Sequence, residues 1–136
     1  VFLCFPAGFL NSILIWSQNE PEHYTFLAGL TEESLKFTAI LLFVRNHSEF
    51  NEPMDAIVYG TLISLGFATL ENLEYVYNSH SAAESMQIAT IRAVTAVPLH
   101  ACCGVIMGYF FGIYAFSGQR LYLVKSLFLP MIFHAI

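Results

Sequence analysis

Charge is what this sequence has least of. Only 11% of its 136 residues are Asp, Glu, Lys or Arg, against about 25% in an ordinary soluble domain. Five basic and ten acidic side chains give a formal charge of -5. No basic face is available for phosphates, which excludes most nucleic-acid binders. Cysteine is scarce too, and Cys4, Cys102 and Cys103 all lie in apolar blocks. No CxxC pair points to zinc or redox chemistry, and no disulfide framework is expected; the three read as small packing residues. There is no Gly-rich phosphate loop and no HExxH signature. What the chain has is 57% apolar residues, set in long blocks rather than in an amphipathic pattern. That excludes a disordered chain and argues against a soluble domain. The fold class expected is all-α, a polytopic transmembrane helical bundle forming a single membrane-embedded domain over residues 1–136.

A spanning helix needs about 20 mostly apolar residues. About five candidates appear. The first runs to about Trp16, the second from about Thr25 to Val44, and the third from Pro53 to about Tyr77. The fourth runs from about Glu84 to Phe116, with Pro98 expected to kink it. The fifth starts near Leu121. Pro53 suits a first helical turn, where its missing N–H is not needed. The connections are short and polar, so neighbouring helices are expected to be antiparallel. The chain starts at Val1 and stops at Ile136 inside apolar runs, so a fragment of a longer protein is expected.

Lys and Arg set membrane orientation. Arg45 follows the second segment, and Arg120 and Lys125 follow the fourth; the loops after the first and third carry neither. The Arg45 and Arg120 loops are therefore expected on the cytoplasmic side of a multi-pass protein of the plasma (inner) membrane, in contact with lipid.

Against this background the polar residues inside apolar segments stand out. Ionisable groups at a bilayer centre cost about 2.5–3.5 kcal/mol on insertion scales and usually mark function. Here they are Glu32, Glu33, Lys36, Glu71, Glu74, Arg92, His100 and His134. Glu74 and Arg92 sit near helix ends and are expected to reach water. At about 1.5 Å of rise per residue, Glu32, Glu71, His100 and His134 fall about 20–25 Å above the cytoplasmic boundary of a core about 30 Å thick. Independent structural polar residues have no reason to share a depth, so one intramembrane site is expected. Gly104, Gly108 and Gly112 line one helix face one turn from His100, and Gly60, Ser64, Ala68 and Asn72 form a similar stripe. Small residues at this spacing let membrane helices approach closely.

Carboxylates and imidazoles around a shared water suit hydrolysis. A Glu can take a proton from water and return it to a leaving amine, while His holds the water or stabilises an oxyanion. Alternatively, Glu71, His100 and His134 serve as zinc ligands with Glu32 as base. Spacing alone does not separate the two mechanisms.

Four segments carry a resemblance. Glu32-Glu33-Ser34-Leu35-Lys36 matches EExxK, Phe67 to Asn72 matches FxxxEN, His100 to Gly104 matches HxxxG, and Pro130 to Ala135 looks like a final His helix. Their order and spacing resemble the PrsW family of intramembrane proteases, within the CAAX prenyl endopeptidase superfamily. The resemblance implies an endopeptidase acting on transmembrane or membrane-associated protein substrates, as in site-1 cleavage of an anti-sigma factor. It implies catalytic roles for Glu32, Glu33, Glu71, His100 and His134, with Lys36 and Asn72 supporting. The superfamily has been described both as metalloproteases and as glutamate-dependent peptidases, so zinc and metal-free readings both stay open. The prenyl endopeptidases carry FxxxH where this chain has FxxxEN. Rival readings are a non-catalytic membrane scaffold and a proton or ion pathway.

Overall fold

The computed structural model describes residues 25–135. All regular structure among them is helical. Helix α1 spans Thr25–Ala39 and runs into a π-helical turn at Ile40–Val44. Helix α2 spans Pro53–Tyr77, α3 Ala82–Val94, α4 Ala96–Ser117 and α5 Arg120–Ala135. The first expected span and Cys4 lie outside the described residues.

Local chemistry fixes the ends. Pro53 opens α2, and Asp55 closes a capping box with Glu52, accepting from the Glu52 N–H at 2.8 Å. That satisfies N–H groups with no partner inside the helix. Ser81 caps α3 by accepting from the Glu84 N–H at 3.2 Å. Gly118, at φ 73°, ends α4 in the left-handed region that glycine enters without Cβ strain.

The fourth expected span is two helices rather than one. The break lies at Thr95, three residues before the proline expected to mark it. Pro98 has no N–H to offer the Val94 carbonyl, and its ring crowds that carbonyl. The chain therefore leaves helical register just after Val94, and the Thr95 hydroxyl donates back to the Ile91 carbonyl at 2.8 Å.

Among the described residues, two stretches are long and apolar enough to cross a membrane on their own: the 25 residues of Pro53–Tyr77 and the 36 of Ala82–Ser117. The broken helix pair supplies one of these, and α4 alone, at 22 residues, is about 33 Å long. Large apolar side chains such as Phe43, Leu62 and Ile132 point outward, whereas Glu32, Glu33, Lys36, His100 and two serines are buried. A polar interior inside an apolar exterior is the arrangement of a membrane protein.

Helices α2 and α4 form the backbone of the bundle. A methyl group on Gly104 would lie 2.7 Å from the Gly60 carbonyl oxygen, and one on Gly108 would collide with the Ala56 carbonyl. Only bare backbone allows this approach. One end of the bundle is filled by Ile40, Val44, Ala56, Met107 and Phe111, with Phe37, Phe50 and Tyr59 packed around them. At that same end Arg45 donates to the Tyr114 hydroxyl at 3.1 Å. The polar residues gather in the opposite half.

Candidate active site

Helix α1 contributes Glu32, Glu33 and Lys36 from adjacent turns; α2 contributes Glu71, α4 His100 and α5 His134. All are brought together. Lys36, 1% exposed, donates to Glu33 Oε1 at 2.6 Å and lies 3.9 Å from Glu32 Oε2. Its ammonium also sits 2.8 Å from His100 Nδ1. An ammonium can only donate, so His100 Nδ1 accepts, and the ring proton belongs on Nε2. That nitrogen meets Glu71 Oε2 at 2.9 Å, a carboxylate suited to accept it. His134 Nδ1 donates to Glu33 Oε1 at 2.8 Å, which leaves His134 Nε2 with its lone pair free. The two imidazoles meet edge to face, with centroids 4.9 Å apart.

This is a chain of fixed roles. Glu33 binds Lys36 and orients His134 with the same oxygen. Its other oxygen, and Oε2 of Glu32, are buried without a hydrogen-bond partner among the described residues. Buried carboxylate oxygens are rarely left so, and these two form the unsaturated part of the cluster. Gly29 on α1 makes room for the imidazole: a methyl there would stand 3.3 Å from His134 Cγ. On α5, Pro130 lies within the helix, one turn before His134.

Arg92 departs from expectation. It does not reach out to water: its side chain is 16% exposed and pairs with Glu71 Oε2 at 2.7 Å, outside hydrogen-bond alignment. Its Nε donates to Asn72 Oδ1 at 2.6 Å, and its guanidinium lies 4.0 Å from the centroid of the Tyr75 ring. Asn72 thus touches Arg92, which in turn pairs with Glu71. The sequence held a signal for this: Arg92 lies two helical turns before His100, on a segment short enough to fold back over α2. Glu74 is exposed. Cys102 and Cys103 are free thiols, the first exposed and the second buried.

A donor group that the structure brings together differs in one member from the zinc set of Glu71, His100 and His134. Glu71 is held by Arg92 and His100. Glu32 instead lies with His100 and His134 so that one donor atom from each is within 4.8 Å of the others. Two imidazoles and a carboxylate make a donor set that zinc accepts. The unpartnered Glu32 oxygen and the free His134 Nε2 fit that role.

The model of a family described as PrsW family intramembrane metalloprotease matches residues 1–136. The chain belongs to the PrsW family. Similar proteins include the Protease PrsW of Geobacillus kaustophilus (strain HTA426), 40% identical over 141 residues, covering 100% of this chain and 60% of that protein. The Protease PrsW of Bacillus subtilis (strain 168) is 37% identical, covering 98% of this chain and 62% of its own length. That of Clostridioides difficile (strain 630) is 33% identical, covering 81% of this chain and 48% of its own length. The chain therefore spans about 60% of the first two PrsW relatives. No solved structure matches.

Proposed function

We propose that this protein is an intramembrane endopeptidase that hydrolyses peptide bonds of membrane-associated protein substrates. The observation that carries the reading is the buried Glu32 carboxylate oxygen, without a hydrogen-bond partner among the described residues, beside two oriented imidazoles, in a chain of the PrsW family.

In this reading Glu32 is the general base. It takes a proton from water as the water oxygen bonds to the substrate's carbonyl carbon. It then returns that proton to the amide nitrogen as the C–N bond breaks. His134, aimed by Glu33, holds the water through its free Nε2. Lys36 and Arg92 oppose the three carboxylates, so that the cluster can sit in an apolar surround without stranding charge. His100, fixed between Lys36 and Glu71, positions Glu71 and lines the side of the site facing α2.

The family description names a metal; Glu32, His100 and His134 would hold it, with Lys36 giving up His100 Nδ1 to it and Glu32 acting as a ligand in place of its role as base. A bound zinc would polarise the carbonyl and make water more acidic. Glu33 and Glu71, each hydrogen-bonded to one of the two imidazoles, would then orient the ligands as outer carboxylates do at zinc–histidine centres.

The finer assignment follows the resemblance: a multi-pass protein of the plasma membrane, with the Arg45 and Arg120 loops cytoplasmic, cutting a substrate such as an anti-sigma factor. The deciding experiment is Glu32→Gln in the full-length protein reconstituted with a membrane-anchored substrate. Cleavage is expected to fall at least about a hundredfold with the thermal transition preserved. A scaffold would keep its partner assembly and show no cleavage in either form; a proton path would lose conductance instead. Full cleavage by the Gln variant would discard Glu32 as base.

A further inference from the structure

Beside the first donor group lies a second, of which the hydrolytic reading leaves Cys103 unused. Glu33, Cys103 and His134 each offer one donor atom within 4.8 Å of the others. Cys103 and Glu33 are both 0% exposed. The thiol's only partner among the described residues is the Pro130 carbonyl, at 3.8 Å. Among the described residues Glu33 Oε2 has no hydrogen-bond partner. A fully buried carboxylate oxygen is rarely left without a partner, and this carboxylate lies beside a thiol and an imidazole.

We propose that Glu33, Cys103 and His134 form a second cation site, selective for a thiophilic divalent ion such as Cd²⁺, Co²⁺ or Zn²⁺. Thiolate favours soft and borderline ions over Mg²⁺ or Ca²⁺. Tetrahedral coordination with bonds of about 2.0–2.3 Å puts donor atoms about 3.3–3.8 Å apart, so the side chains close in by at most about 1.5 Å on binding. The Cys103 S–H bond breaks as the sulfur–metal bond forms, and the proton leaves to solvent. The charge count favours the exchange. Glu32, Glu33 and Glu71 face Lys36 and Arg92, leaving one formal negative charge. A divalent cation that displaces one proton adds a single positive charge.

This group shares His134 with Glu32 and His100, so one ion cannot satisfy both sets. A soft ion at Cys103 withdraws His134 and Glu33 from the roles given above. Inhibition by such ions is thus a consequence that rests on the hydrolytic reading; the binding itself does not.

Co²⁺ titration of the purified full-length protein in detergent tests the site, because thiolate coordination gives a near-ultraviolet charge-transfer band that imidazole and carboxylate do not. The band is expected in the wild type and in Cys102→Ser. It is expected to vanish in Cys103→Ser and in His134→Ala. Glu32→Ala, which belongs only to the other donor group, is expected to lose cleavage and keep the band, separating this proposal from the catalytic one. A wild type without the band, a band surviving Cys103→Ser, or its loss in Glu32→Ala overturns the site.

Discussion

Lys36 shows how a single side chain ties the site together. Its ammonium sits between Glu33 Oε1 at 2.6 Å and His100 Nδ1 at 2.8 Å, and it is 1% exposed. Breaking a buried pair by removing one partner strands the other charge, at a cost of about 3–5 kcal/mol. Replacing both partners with neutral groups avoids most of that cost. Lys36→Met is therefore expected to lower the thermal transition sharply, and Glu33→Gln combined with Lys36→Met is expected to recover more than half the loss. Activity is not expected to return with stability, because Glu33 also orients His134. Thermal unfolding of the four proteins of this double-mutant cycle measures the coupling; strictly additive losses would mean the pair does not act as a unit. At this scale much was legible in the sequence. Glu32, Glu33, Lys36, Glu71, His100 and His134 are polar residues inside apolar segments, and depth alone argued that four of them meet. Depth says nothing about rotation around a helix axis. It could not tell that Glu33, rather than Glu32, points at His134 Nδ1, or that Arg92 turns inward to Glu71.

The helices position these side chains through close backbone contact. The α2–α4 seam depends on glycines whose added methyl would strike backbone: at Gly104 it would lie 2.7 Å from the Gly60 carbonyl and 2.8 Å from Thr61 Cα. Neither neighbour can rotate away. Gly104→Ala is expected to force α2 and α4 apart, shifting His100 relative to Glu71. A misplacement of about 1 Å can cost about a hundredfold in rate. Gly66 is the control, since a methyl there meets nothing within 4 Å. Gly66→Ala is expected to leave cleavage unchanged and stability equal or up to about 1 kcal/mol higher. Comparing the two variants in cleavage and thermal unfolding checks the seam; equal behaviour would remove it as a determinant of the site. The small-residue stripes made this contact readable in advance. The break at Thr95 was less so, because a proline disturbs the turn before itself rather than its own position. That break lets α3 angle across α2, where Arg92 meets Asn72 and Tyr75.

Across the whole molecule the bundle divides into an apolar end and a polar end. Ile40, Val44, Met107 and Phe111 fill the first, near the loop that carries Arg45. The Glu and His residues occupy the second, towards Tyr77 and the α2–α3 connection. If the Arg45 end faces the cytoplasm, as its positive charge argues, the site lies in the outer half of the membrane. A peptide would reach it from the outer surface or sideways through lipid, unwinding near the site to expose its backbone. The Glu71 side chain retains 27% exposure, more than Glu33, Lys36 or His100. Ile57 lies fourteen residues nearer the start of the same helix, about 21 Å lower. In a cysteine-free full-length background, an impermeant maleimide applied to intact cells is expected to label Glu71→Cys at least about tenfold faster than Ile57→Cys. Both positions share α2, so local helix stability does not explain a difference, and only depth and water access do. Faster labelling of Ile57→Cys would invert the orientation and move the entrance to the cytoplasmic face, while leaving the chemistry assigned to Glu32 and His134 intact.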